Sequence, residues 1–164
     1  MNGKLYVVGT PIGNLSDFSP RAKEILSSVD FIAAEDTRVT QKLLNFFDIK
    51  KPLVSYYEHN RRERGEMIVS RLLNGEVCAI VTDAGMPCIS DPGQDLVFLC
   101  HEKGVSVESV PGPTAFATAL AISGMESGRF TFEGFLSTNK PSRKEHLEEL
   151  KNEARTMIFY EAPH

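Results

Sequence analysis

The sequence predicts an α/β protein with an open, mainly parallel sheet and flanking helices. Short apolar runs alternate with segments of helical period, the βαβα pattern of such sheets. The run EVCAIVT (76–82) is apolar without interruption, as expected for a strand buried on both faces. A length of 164 residues with 41% hydrophobic content supplies a sizeable core.

KLYVVG (4–9) reads as the first strand, and SPRAKEILSSV (19–29) as a helix. Ser19 is a natural N-cap, Pro20 suits the first turn, and Ala22, Ile25, Leu26 and Val29 share one face. FIAAED (31–36) is a second strand ending in two carboxylates. A helix over 37–49 leads to the strand LVSYY (53–57), and a helix over 61–75 closes on Gly75. After EVCAIVT comes a helix over 91–104, with Asp91 as its cap and Gly104 as its stop. The strand VSVESV (105–110) and a small-residue helix in PGPTAFATALAISG (111–124) complete a first domain, 1–124.

From 125 to 164 the character changes. RFTFEGFLS (129–137) and RTMIFYEAPH (155–164) read as strands around a charged helix, KPSRKEHLEELKNE (140–153). Two strands and one helix cannot bury both faces of a sheet, so this second α/β domain is expected to be incomplete and the chain a piece of a longer protein.

No apolar run approaches the roughly 20 residues that span a bilayer, and MNGKLYVVG lacks a secretory pattern, so the simplest expectation is cytoplasmic. Cys78, Cys88 and Cys100 form no CxxC pair and, with four scattered histidines, no metal spacing; they are expected to be reduced, and no metal is expected. A net charge of −4 excludes a globally basic nucleic-acid coat. Basic residues cluster in HNRRERGE (59–66) and KPSRK (140–144), which suit either a solvated surface or phosphate contact.

The chemistry concentrates at the carboxyl ends of the predicted strands, where open parallel sheets bind ligands. GTPIGN (9–14), EDTR (35–38), TDAGMPCISDPG (82–93) and PGPTA (111–115) all fall there. Gly9 and Gly13 are split by Pro11 and the helix begins near Ser19, so no G-x-G-x-x-G fingerprint opens it; there is no phosphate-binding G-x-x-x-x-G-K-[ST] either. GTPIGN suits a tight turn as well as a ligand, and Asp36 or Thr37 in EDTR suits a helix cap. The long loop 82–93, with two glycines and two prolines, presents rigid backbone groups rather than a reactive side chain.

These loops, in this order, resemble the tetrapyrrole methylase superfamily of S-adenosylmethionine (SAM)-dependent methyltransferases. VVGTPIGNLSD, AAEDTR, TDAGMPCISDPG, PGPTA, EGFL and FYEAPH match in register from Leu5 to His164. The chain is most similar to the group that methylates a cytidine ribose 2′-hydroxyl in the decoding region of small-subunit (16S) rRNA. The resemblance implies two α/β domains with SAM between them, usually a homodimer, and a small-subunit rRNA acceptor, in an assembled 30S particle. It carries cofactor contacts onto Gly85, Met86, Ile89, Thr114 and Ala115. Relatives with Gly-Asp-Pro have a carboxylate where this chain has Met86, so either Asp83 replaces it or backbone alone serves. GTPIGN and EDTR fall on the acceptor side, with Glu35 and Asp36 as candidate bases and Arg38 as a phosphate or ribose contact. The rival readings are methylation of a corrin precursor and a non-catalytic ligand- or RNA-binding fragment.

Overall fold

A computed structural model describes residues 3–162, so Pro163 and His164 of the predicted last strand lie outside the described residues. The chain divides into two compact units, one ending at Thr114 and the other beginning at Ala115.

In the first unit, β1 (Lys4–Val8), β2 (Phe31–Ala34), β3 (Leu53–Ser55), β4 (Val77–Val81) and β5 (Ser106–Val110) form one sheet in the order β3-β2-β4-β1-β5. Every neighbouring pair is parallel, with Leu5 opposite Cys78 on one side of β1 and Val107 on the other. The expected α/β class is therefore observed. Helices α1 (Pro20–Ser28) and α2 (Thr37–Phe46) belong to one face, and α3 (Arg61–Leu73) and α4 (Gln94–Glu102) to the other.

Strand pleating explains why the central runs are apolar throughout. Ile32, Ala34, Ala79 and Val81 pack with Leu26 of α1 and Leu44 of α2, whereas Phe31, Ala33, Cys78 and Ile80 pack with Ile68 of α3 and Leu96 of α4. Each Leu, Ile, Val or Phe among them contributes about 1.5–3 kcal/mol when fully buried. Ser19 caps α1 as expected, its hydroxyl accepting from the Ala22 amide at 3.0 Å. Gly75 and Gly104 follow α3 and α4 with φ of +96° and +68°, conformations that favour glycine.

Several elements are shorter than the sequence predicts; the helix over 140–153 ends at Glu149 and the strand over 129–137 spans Phe130–Phe135. The strand after Pro52 ends at Ser55, and α2 ends at Phe46, ahead of Asp48 at φ +53°. The helix expected from Asp91 starts at Gln94, because Gly93, at φ +133°, is its N-cap. Asp91 is therefore not the cap.

The second unit contains α5 (Ala115–Ser123), β6 (Phe130–Phe135), α6 (Lys140–Glu149) and β7 (Thr156–Tyr160). The helix after PGPT thus groups with the following segment instead of closing the first unit. Strands β6 and β7 pair in parallel, with a bulge between Phe132 and Gly134. Phe116 stacks on Phe132 at 4.7 Å, and the Phe116 amide donates to the Tyr160 hydroxyl at 3.2 Å. Among the described residues, the buried hydrophobic core ends at Val110, consistent with two strands and two helices enclosing little.

Candidate functional site

The sheet order places two diverging connections side by side. The chain leaves β1 over β4 to reach β2, and leaves β4 over β1 to reach β5. Adjacent strands whose connections part in this way open a crevice at their carboxyl ends. In this crevice the loop after β1 is tied to the loop after β4. The amide of Thr10 donates to the Gly85 carbonyl at 2.9 Å and the Gly85 amide returns to the Thr10 carbonyl at 3.1 Å. The buried Thr10 hydroxyl adds a bond to the Thr82 carbonyl at 3.1 Å.

The loop after β5 closes on the same point. A Cβ on Gly9 would lie 2.6 Å from the Gly112 Cα and 2.7 Å from the Met86 Sδ, so this crossing admits only glycine. Gly85, at φ +92°, sits between Ile12 and the Pro113 carbonyl, which a Cβ would approach at 3.5 and 3.6 Å. Three loops far apart in sequence thus bring backbone carbonyls and amides together around Gly85 and Met86.

Beyond Gly85 the loop coils tightly. Cys88 and Ser90 have φ of +71° and +59°, left-handed conformations that cost non-glycine residues of the order of 1–3 kcal/mol each. Burial, with the Asp91 charge adding to it, pushes the Cys88 thiol up to about 11. It is therefore neutral near pH 7 and a poor nucleophile.

Carboxylates line the β2 side. Asp83 accepts the Asp36 amide at 3.2 Å, and the Asp83 amide points to Glu35 Oε2 at 3.5 Å. Burial, followed by the Asp83 charge, raises the Glu35 pKa; burial also raises that of Asp83. Asp91 is pushed up to about 6 by burial, then by the charges of Glu35 and Asp83. Asp36 differs: it is the N-cap of α2, and Arg38 grips it with Nε at 3.0 Å and Nη2 at 2.6 Å. Those bonds hold its carboxyl down at about 2. The two candidate bases are therefore chemically unequal, with Glu35 the better proton acceptor near neutral pH.

The structure thus brings Glu35, Asp36, Arg38 and Asp83 together, and places Gly85 and Met86 at the loop crossing. Thr114 follows the Pro113 carbonyl directly, its hydroxyl donating to the Gly112 carbonyl at 3.3 Å, while Ala115 opens α5 in the second unit. Ile89 is exposed on the coil between Cys88 and Ser90. Sequence reasoning missed Thr10 and misassigned Asp91; the Thr-Pro following a strand was the only hint of the former. Among the described residues, no group of three or more His, Cys, Asp or Glu side chains is placed to hold a metal ion.

The model of the family described as Tetrapyrrole (Corrin/Porphyrin) Methylases matches residues 4–164. The chain belongs to this family. The chain is 53% identical to "Ribosomal RNA small subunit methyltransferase I" of Synechocystis sp. over 162 residues, 99% of this chain and 58% of that protein. The protein of that name from Thermotoga maritima is 51% identical over 98% of this chain and 72% of its own length. The chain spans a little under three-fifths of most of the curated relatives it matches. Among solved structures, it matches diphthine synthase with a TM-score of 0.67 at 17% identity, over 98% of this chain and 65% of that one. Uroporphyrin-III-C-methyltransferase from Thermus thermophilus matches with a TM-score of 0.61 at 20% identity, over 82% of this chain and 60% of that one. These structural matches establish a shared fold. No helix among its described residues is long and apolar enough to cross a membrane.

Proposed function

We propose that the protein carrying this chain is a SAM-dependent methyltransferase that methylates a cytidine 2′-hydroxyl in the decoding region of small-subunit rRNA. Identity of about half over nearly the whole chain, to relatives named for small-subunit rRNA methylation, supports this reading best. The working form is proposed to be a cytoplasmic homodimer acting on the assembled 30S particle.

The loop crossing suits the donor. When bound, SAM supplies an electrophilic methyl group on a positively charged sulfur. Around Gly85 the chain offers backbone carbonyls, amides and glycine-width access, with the Cys88 thiol held neutral. Gly85, Met86, Ile89, Thr114 and Ala115 are the proposed cofactor contacts. Asp83, expected among them, is bonded to the start of α2 instead, and is proposed for the acceptor side.

On that side, Glu35 is the proposed general base. Its Oε2 faces the Asp83 amide, so Oε1 is the atom assigned to receive the ribose hydroxyl proton. A positioned base contributes about 10²–10⁴ in rate. Asp36 fixes Arg38 in a two-bond fork, which presents the guanidinium for a phosphate or ribose oxygen. Alignment of the hydroxyl with the methyl donor can lower the barrier by up to about 7–11 kcal/mol.

The test is calorimetric titration of the full-length protein with SAM, with ATP and NAD as controls, followed by labelled methyl transfer to naked small-subunit rRNA, 30S particles and a corrin precursor. Selective SAM binding with transfer to cytidine 2′-oxygen supports the proposal. Transfer to the corrin precursor alone, or tighter binding of NAD or ATP, would overturn it.

A further inference from the structure

Beside the carboxylates, a groove of about 430 Å³ runs between the loop after β1 and the exposed side of α2. Pro11, Leu15, Val39, Leu43 and Phe46 give it apolar walls, and Lys42 and Asp83 are its charged lining residues. The size lies within the usual range for small-ligand sites, and apolar walls with a few polar groups are their usual chemistry.

We propose that this groove holds the cytosine base of the acceptor nucleotide, stacked on Phe46 and read by Asp83 and Lys42. The inference rests on the rRNA reading above and assigns the residues that choose the base. Three observations point to a base. Phe46 is 65% exposed, unusual for an aromatic ring with no role outside the core. Its ring is nevertheless fixed edge-to-face on Phe47 at 4.9 Å, and Phe47 packs on the buried Phe18 at 5.0 Å. An exposed, anchored ring is a stacking platform, and single-stranded nucleic acids are held on such platforms.

The polar lining also matches one base better than another. Asp83 Oδ1 takes the Asp36 amide, which leaves the second carboxylate oxygen for a ligand donor. Cytosine presents its exocyclic amino group as that donor, and carboxylates pair with it. Its neighbouring ring nitrogen and carbonyl are acceptors, suited to the Lys42 ammonium. Uracil would instead turn a carbonyl oxygen toward the carboxylate. The location agrees as well: Asp83 lines the groove with its side chain and offers its amide to Glu35, the proposed base, so groove and proton acceptor share one residue.

A second concavity of about 530 Å³ runs along α6, lined by Lys140, Arg143, Lys144, Leu147, Glu148 and Lys151. Its four cations suit phosphate, but its lining has no aromatic platform for a base.

The test uses the full-length protein with Phe46→Ala, Phe46→Tyr and Asp83→Asn. Substrates are small-subunit rRNA and the same RNA with the methylated cytidine, located by mapping the product, changed to uridine. Phe46→Ala should raise the KM for RNA about tenfold or more with SAM affinity within about twofold, and Phe46→Tyr should restore it. Wild type should prefer cytidine by about tenfold or more, and Asp83→Asn should bring that preference close to unity. If wild type methylates cytidine but both variants keep its RNA KM and its base preference, the groove assignment fails and the rRNA reading stands. If wild type binds SAM yet transfers nothing to rRNA or to 30S particles, both fall together.

Discussion

Replacing Asp91 by Asn should make the protein more stable, and only above mildly acidic pH. In the folded chain the Asp91 carboxyl is pushed from its ordinary 3.8 to about 6 by burial and by the charges of Glu35 and Asp83. Between those two values the folded state holds a proton that the unfolded state has lost, so stability falls as pH rises through this window. Above about pH 6 the destabilisation is complete, and below about pH 4 it vanishes. At 1.36 kcal/mol per pH unit the ceiling is near 3 kcal/mol. Asp91 is only partly buried, and screening by solvent reduces this to about 1–2 kcal/mol. For a chain of this size that is a rise in Tm of roughly 2–8 °C. Thermal unfolding of wild type and Asp91→Asn should be compared at pH 4, 5, 6, 7 and 8. The gain should be near zero at pH 4, grow through pH 5 and level off by pH 7. A gain of equal size at every pH, or a loss at pH 7, would refute the electrostatic account of this loop.

Three further outcomes are expected. Glu35→Gln should lower kcat for methyl transfer by about 10²–10⁴ with SAM affinity unchanged, whereas Asp36→Asn should cost less, since Arg38 already holds that carboxyl at about 2. In wild type, kcat/KM should rise with pH through a value above the ordinary 4.5 of a glutamate, and Glu35→Gln should abolish that limb; a profile identical in the two proteins would remove Glu35 as the base. Gly9→Ala forces a methyl onto the Gly112 backbone and should destabilise by about 1–3 kcal/mol while weakening SAM binding, both readable from one calorimetric and thermal series. Arg61 is engaged by Glu58 and Asp95 at 3.3 and 3.1 Å, so neutralising Arg62 and Arg64 should flatten the salt dependence of rRNA binding by up to about two charges, and neutralising Arg61 should change it less.

Much of the first unit was legible because burial on both faces writes itself into sequence. FIAA and VCAIV have no polar face to alternate with, and Ser19-Pro20 announces a helix start by chemistry confined to four residues. What was not legible depends on contacts across the chain. Asp91 precedes a proline near a helix start and so resembles a cap, but the positive φ of Gly93 moves the helix start to Gln94 and leaves Asp91 with Asp83 of its own loop and Glu35 of the loop after β2. Asp36 was open between cap and base; it is a cap, and its pairing with Arg38 two residues on could be suspected from EDTR alone. That Asp83 would bond the Asp36 amide, 47 positions away, could not. Thr10 was hidden for the same reason, since its value lies in a bridge to Gly85 that only the fold creates.

The placement of β1 has a consequence for synthesis on the ribosome. Although it is the first strand made, its neighbours in the sheet are β4 and β5. Its first partner is complete only when Val81 has been added, roughly 4–15 s later at 5–20 residues per second. Throughout that interval Leu5, Val7 and Val8 belong to a nascent segment with no strand of this sheet to pair with, whereas β2 and β3 have each other as soon as Ser55 is added. The β2–β3 side of the sheet can therefore pair before β1 has any neighbour, and the strand that leads into the Thr10 bridge waits longest for its place.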